Sequence, residues 1–173
     1  VRSRWLSLTL VAALLAGGCG GNDGPPEVKT KADFVAAADK ICVERDQSST
    51  KLQTDLKTDD DLARLSGGLA DIYAKAIAEL QALSLPPRDA RAGARTYVDA
   101  TVALRKPVQQ MKADALNLEA AIKTRKTAAV KAAGQKLQIS VNTVQALGEV
   151  ADQSARTYGM RNCGQAATPN PVS

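Results

Sequence analysis

The chain has 173 residues, 45% of them apolar and 24% charged, with 23 bases against 18 acids. That is one domain's worth of ordinary globular chain. There is no histidine, and the aromatic side chains are Trp5, Phe34, Tyr73, Tyr97 and Tyr158, so the commonest general base and metal ligand are missing and no stacking surface for nucleic acid is expected.

The first segment reads as an address. Arg2 and Arg4 precede an uncharged, largely apolar run from Trp5 to Ala16, and Gly17, Gly18 and Cys19 follow. The run is too short to span a bilayer, which takes about 20 apolar residues, and it has the shape of a secretory signal. Small residues ending directly at a cysteine, in Leu15-Ala16-Gly17-Gly18-Cys19, resemble the bacterial lipobox. The resemblance implies cleavage after residue 18 and diacylation of Cys19. The expectation is a membrane lipoprotein anchored on the extracytoplasmic face, with an ordinary secretory signal as the competing reading. Loss of Arg2 and Arg4 leaves 21 of the 23 bases against 18 acids, too balanced to suggest nucleic acid as a partner. Residues 19–29, rich in Gly and Pro, form a flexible tether.

From Thr30 the apolar period is helical throughout. Residues 31–56 place Phe34, Ala38, Ile41, Arg45, Ser48, Leu52 and Leu56 on one face, with Thr30 and Asp33 as a capping pair. Thr58 to Asp61 forms a turn whose acids suit the positive end of the next helix. Residues 60–83 carry Leu62, Leu65, Leu69, Ile72, Ala76, Leu80 and Leu83, and Pro86-Pro87 ends that stretch, with Pro87 as first residue of a third helix. Residues 88–123 keep one phase from Ala94 through Tyr97, Thr101, Leu104, Val108, Met111, Ala115 and Leu118 to Ile122 across Pro107, which predicts one long kinked helix. Residues 127–158 form the fourth, closed by Gly159. The fold class is therefore all-α: an up-down-up-down four-helix bundle over residues 30–163, with a disordered tail at 164–173.

Cys42 and Cys163 remain after Cys19. In an exported protein they suggest a disulfide between helix one and the end of helix four, and the alternative is two buried free thiols. Three stretches then carry a family resemblance: Asp33-Phe34 through Ala38-Asp39-Lys40-Ile41-Cys42, the Leu83-Ser84-Leu85-Pro86-Pro87 turn, and Tyr158-Gly159 through Cys163-Gly164. They resemble small exported actinobacterial lipoproteins. The resemblance implies the bundle and its cysteine pair and implies no activity.

The search for chemistry returns little. Di-iron, haem and Cys/His zinc sites need histidine. Asp59, Asp60 and Asp61 lack the spacing of a calcium loop. Ser48 and Lys51 have a Ser-x-x-Lys spacing in mid-helix, a poor place for a nucleophile. No cofactor, metal or catalytic residue is expected. The leading expectation is a non-enzymatic binding or scaffolding module for an envelope protein. The alternative is a small-ligand bundle with a mid-height polar pocket formed by Ser48, Ser49, Gly67, Gly68, Thr101, Arg105 and Ser140. There Arg105 would face an anion, unless the hydroxyls bond their own backbones and the glycines only permit close contact. Lys123, Arg125, Lys126, Lys131 and Lys136 form a basic cluster around the third turn. Charge complementarity with the acidic first turn is the preferred reading, and a basic tip touching anionic wall polymers is the other.

Overall fold

A computed structural model describes residues 27–55 and 62–164. The signal segment, Cys19, the Asp59 to Asp61 turn and the tail after Gly164 lie outside the described residues. Five helical segments make four rods: α1 (Lys31–Asp55), α2 (Leu62–Ala82), α3 (Arg88–Ala103) with α4 (Arg105–Thr124), and α5 (Thr127–Tyr158). They form an all-α, four-rod bundle in which α2 packs on α4, α4 and α3 on α5, and α1 chiefly on α2.

The start of α1 is a reciprocal cap. Thr30 Oγ1 accepts from the Asp33 N–H at 3.1 Å, and the Asp33 carboxylate accepts from the N–H groups of Thr30 at 2.9 Å and Lys29 at 3.1 Å. An Asp thus does what a Glu or Gln usually does in this motif. The Thr30 bond first, then the Lys29 amide, holds the Asp33 carboxyl below the ordinary carboxylate range.

The third rod bends at Leu104. Pro107 has no N–H for the Ala103 carbonyl, and its ring crowds that carbonyl, so the chain tightens one turn earlier. Leu104 N–H reaches Thr101 at 3.1 Å, and the ladder resumes from Val108 to Leu104 at 2.9 Å. The buried face runs unbroken through the bend, from Ala94, Tyr97 and Thr101 to Val108, Met111 and Leu118. The kinked-rod expectation therefore describes α3 and α4 together. Pro87 sits one place earlier than expected, as the N-cap of α3, with φ −53° and ψ 167°.

In the first half of α2 the expected stripe is rotated, whereas Ala76, Leu80 and Leu83 further on are buried as expected. Leu62 is half exposed, and Ala63, Ser66 and Ala70 are buried instead. Small side chains let the α2 backbone approach α4, which pushes the longer leucines to the flanks. At the far end, Gly159 ends α5 at φ 98°, its N–H bonding back to Ala155 and Arg156 at 3.0 Å, the left-handed stop that glycine adopts at least cost.

Two apolar clusters stack along the bundle. The lower one joins Phe34, Ala38 and Cys42 of α1 to Leu80, Leu83, Ala94, Tyr97, Ala155, Tyr158, Met160 and Cys163. The upper one joins α2, α4 and α5 through Ile77, Leu104, Val108, Met111, Leu137 and Val144 among others. Among the described residues, no α1 side chain belongs to it.

Candidate functional site

The cysteine pair is bonded. Cys42 and Cys163 form a disulfide with Cα atoms 5.2 Å apart, and both residues are buried. Asp39, one turn before Cys42, holds the partner loop in place. Its carboxylate accepts from three consecutive amides, Arg161 at 3.1 Å, Asn162 at 2.8 Å and Cys163 at 3.1 Å. After Gly159 reverses the chain, these amides have no helical partner, and an ionised acceptor is the strong way to satisfy them. The sequence showed Asp39 only as part of a motif. Nothing in its spacing announced three backbone bonds to residues more than 120 positions away.

The seven residues expected to form one mid-bundle pocket have separate fates. Ser48 is exposed. Ser49 donates to the Arg45 carbonyl at 2.9 Å and Thr101 to the Tyr97 carbonyl at 2.9 Å, each within its own helix. A Cβ on Gly68 would lie 2.7 Å from Leu52 Cδ2, so Gly68 serves close helix contact, while one on Gly67 would meet Ala115 Cβ at an ordinary 3.9 Å. Ser140 is buried and donates to the carboxylate of buried Asp114, which also accepts from Gln110 at 3.1 Å. Arg105 lies on the exposed surface, bonded to Gln81. The structure does not gather these side chains around one space.

A cavity does lie between the two cores, and of the seven only Thr101 lines it. Its volume is about 50 Å³. Arg45 enters from α1, Tyr73 from α2, Tyr97 from α3 and Asp152 from α5, over a floor that includes Ile77, Leu80 and Leu104. Arg45 is the one charged member of the α1 stripe, and it marks where α1 leaves the core. Its Nε and Nη2 both donate to Asp46 Oδ1 at 2.8 Å, and the guanidinium lies 5.5 Å from the Tyr73 ring centre. Burial works against this charge, but Asp46 and the two tyrosines more than offset it, so the Arg45 pKa is raised. Burial pushes the Tyr73 hydroxyl up and the Tyr97 hydroxyl up to about 12. Tyr97 Oη lies 3.6 Å from Cys42 Sγ. Burial also raises the Asp152 carboxyl, with Arg45 pulling it partly back.

One guanidinium facing Asp46 and Asp152 leaves no positive charge for an anion to claim. The space suits about four waters at the 10–15 Å³ each requires, against several hundred Å³ for a usual ligand pocket. Among the described residues no group of three or more Cys, Asp or Glu side chains stands ready for a metal, and no helix is long and apolar enough to cross a membrane. No family model, curated protein or solved structure matches the chain.

Proposed function

We propose that this chain is an exported lipoprotein, acylated at Cys19, that acts as a non-enzymatic binding or scaffolding module in the cell envelope. One observation carries the reading: the bundle is closed by a fully buried disulfide between Cys42 and Cys163. Such bonds belong to oxidising compartments outside the cytosol. The Trp5 to Cys19 segment, with its resemblance to a lipobox, supplies the export route. The expected tether at residues 19–29 is taken up by the bundle at its end, where Val28 packs against the lower cluster and the Lys29 N–H bonds Asp33, and its part before Glu27 lies outside the described residues. The absence of histidine and the self-paired charges of the cavity favour work at the outer surface over chemistry inside.

Processing tests it. Mass spectrometry of membrane-fraction protein from the native host is expected to find a chain that begins at acylated Cys19, labelled by radioactive palmitate. Cys19→Ala is expected to abolish the label and release the protein. A soluble chain that begins elsewhere would overturn the reading.

A further inference from the structure

The end of the bundle where α4 turns into α5 has a charge distribution that the fold does not account for. Residues 120–148 contain five bases and no acid. Lys123 is paired with Glu119 at 2.8 Å. Arg125, Lys126, Lys131 and Lys136 are exposed, and among the described residues none of the four has an ion pair. Arg64, on neighbouring α2, is engaged and plays no part here. The acidic first turn expected to complement this cluster lies outside the described residues.

Their placement runs against local stability. Lys126 is the N-cap of a 32-residue helix, with no side-chain capping bond and no acid in the first turn. Cations there face the positive end of the helix dipole, where an acid or a small hydroxyl residue would be favoured. Arg125 occupies the left-handed region at φ 55°, the position where glycine or asparagine costs least. Two turn residues that weaken the fold, flanked by further unpaired lysines, are what a binding surface looks like when local preference is overridden.

We propose that this basic end is a docking surface for a phosphate-bearing polymer lying outside the bilayer. From Thr127 to Lys136 α5 rises about 14 Å at 1.5 Å per residue, and Lys131 and Lys136 stand about 140° apart around it, so the bases surround the tip and a flexible chain can wrap to meet several of them. The binding is electrostatic and tolerant of sequence, and it weakens linearly in log affinity with log salt. The proposal rests on the lipoprotein reading for its direction alone. The start of α1 and this turn lie at opposite ends of the bundle, so a chain anchored ahead of α1 can hold the tip up to the length of α5, about 48 Å, from its membrane.

The test uses the full mature chain, lipid included, in neutral detergent, with fluorescent long-chain inorganic polyphosphate as the probe. Fluorescence anisotropy is expected to show salt-sensitive binding. The triple variant K126Q/K131Q/K136Q is expected to weaken it by about fivefold per base removed. R88Q/R95Q/K106Q, which removes the same charge from exposed positions elsewhere, is expected to leave binding nearly unchanged. The first variant should also melt higher than the parent, because it removes the Lys126 cation from the N-cap of α5, whereas bases with a purely structural role would lower the melting point on removal. Equal weakening by both variants would reduce the effect to net charge and overturn the proposal. So would absence of polyphosphate binding, or tighter binding through the same lysines to phosphatidylglycerol vesicles than to the polymer. Failure of acylation at Cys19 would be seen by mass spectrometry and leaves this binding result intact, so the two readings fall separately.

Discussion

Among the described residues, the lower core of the bundle draws on four rods and aromatic side chains, the upper core on three rods and mainly aliphatic ones. Below, Phe34 meets Tyr158 edge to face at 5.8 Å, the Tyr158 hydroxyl bonds the Ala90 carbonyl at 3.0 Å, and the disulfide and the Asp39 clamp tie the last turn to the first helix. Above, α1 touches the bundle through Leu52 over Gly68 while its other side chains turn polar. The cavity with Arg45 sits at the change-over. The difference teaches that α1 is held by its base: a helix with three buried residues, Phe34, Ala38 and Cys42, gains too little apolar burial to stay docked along its whole length without the covalent tie.

Removal of that tie is the largest perturbation expected. Closing a loop of 121 residues contributes about 5 kcal/mol in the entropic account. Cys42→Ser with Cys163→Ser is expected to lower stability in urea by that order. Hydrogen exchange should show α1 amides losing protection well before those of α4. Uniform loss across all four rods would break the comparison.

Leu137→Ala probes the other half. Leu137 is 1% exposed in the upper core, and its truncation is expected to cost about 3 kcal/mol. Exchange at the base of α1 should change only through global unfolding, with the disulfide intact. A selective loss of α1 protection would show that the halves are not separate.

Alkaline pH acts on the boundary. The Tyr97 hydroxyl is pushed up to about 12 in the folded chain by burial, against about 10 when unfolded. The unfolded state therefore releases this proton first. Stability from Tyr97 is full below pH 10 and falls as pH rises toward 12, by about 2 to 3 kcal/mol. Tyrosinate absorbance should show one group titrating late and together with unfolding, and Tyr97→Phe should flatten the alkaline slope. A Tyr97 that titrates freely near pH 10 would place water, rather than close packing, around it.

The smallest effect is a gain. Gly67→Ala places a methyl in ordinary contact with Ala115 at 3.9 Å and removes the entropic cost of a helical glycine. It is expected to raise stability by about 1 kcal/mol, read as a higher melting temperature. A loss would show that α2 and α4 are closer in solution than this contact allows.

The helical period, the Thr30–Asp33 cap, the bend near Pro107 and the stop at Gly159 were all legible in the chain, because each depends on neighbours within one or two turns. The Cys42–Cys163 pairing was legible too, since an up-down order brings the two ends of the rods together whatever their details. What lay beyond reach depended on rotation about each helix axis. A turn of α2 that hides Ala63 and Ala70 and exposes Leu62 is set by how closely α4 approaches, and Leu52 of α1 lies over Gly68 where a pocket was expected. Arg105 and Arg45 illustrate the point. Both stand near mid-bundle height, but Arg105 falls on the outer side of the third rod and bonds Gln81, while Arg45 faces inward beside Tyr73. Period and caps, which are properties of a single strand of sequence, determined that this is a bundle of long helices with its ends joined. Which charge is buried, where the core divides, and that Asp39 holds a distant turn were decided only by the packing of one rod against another, because those energies exist between segments and in none of them alone.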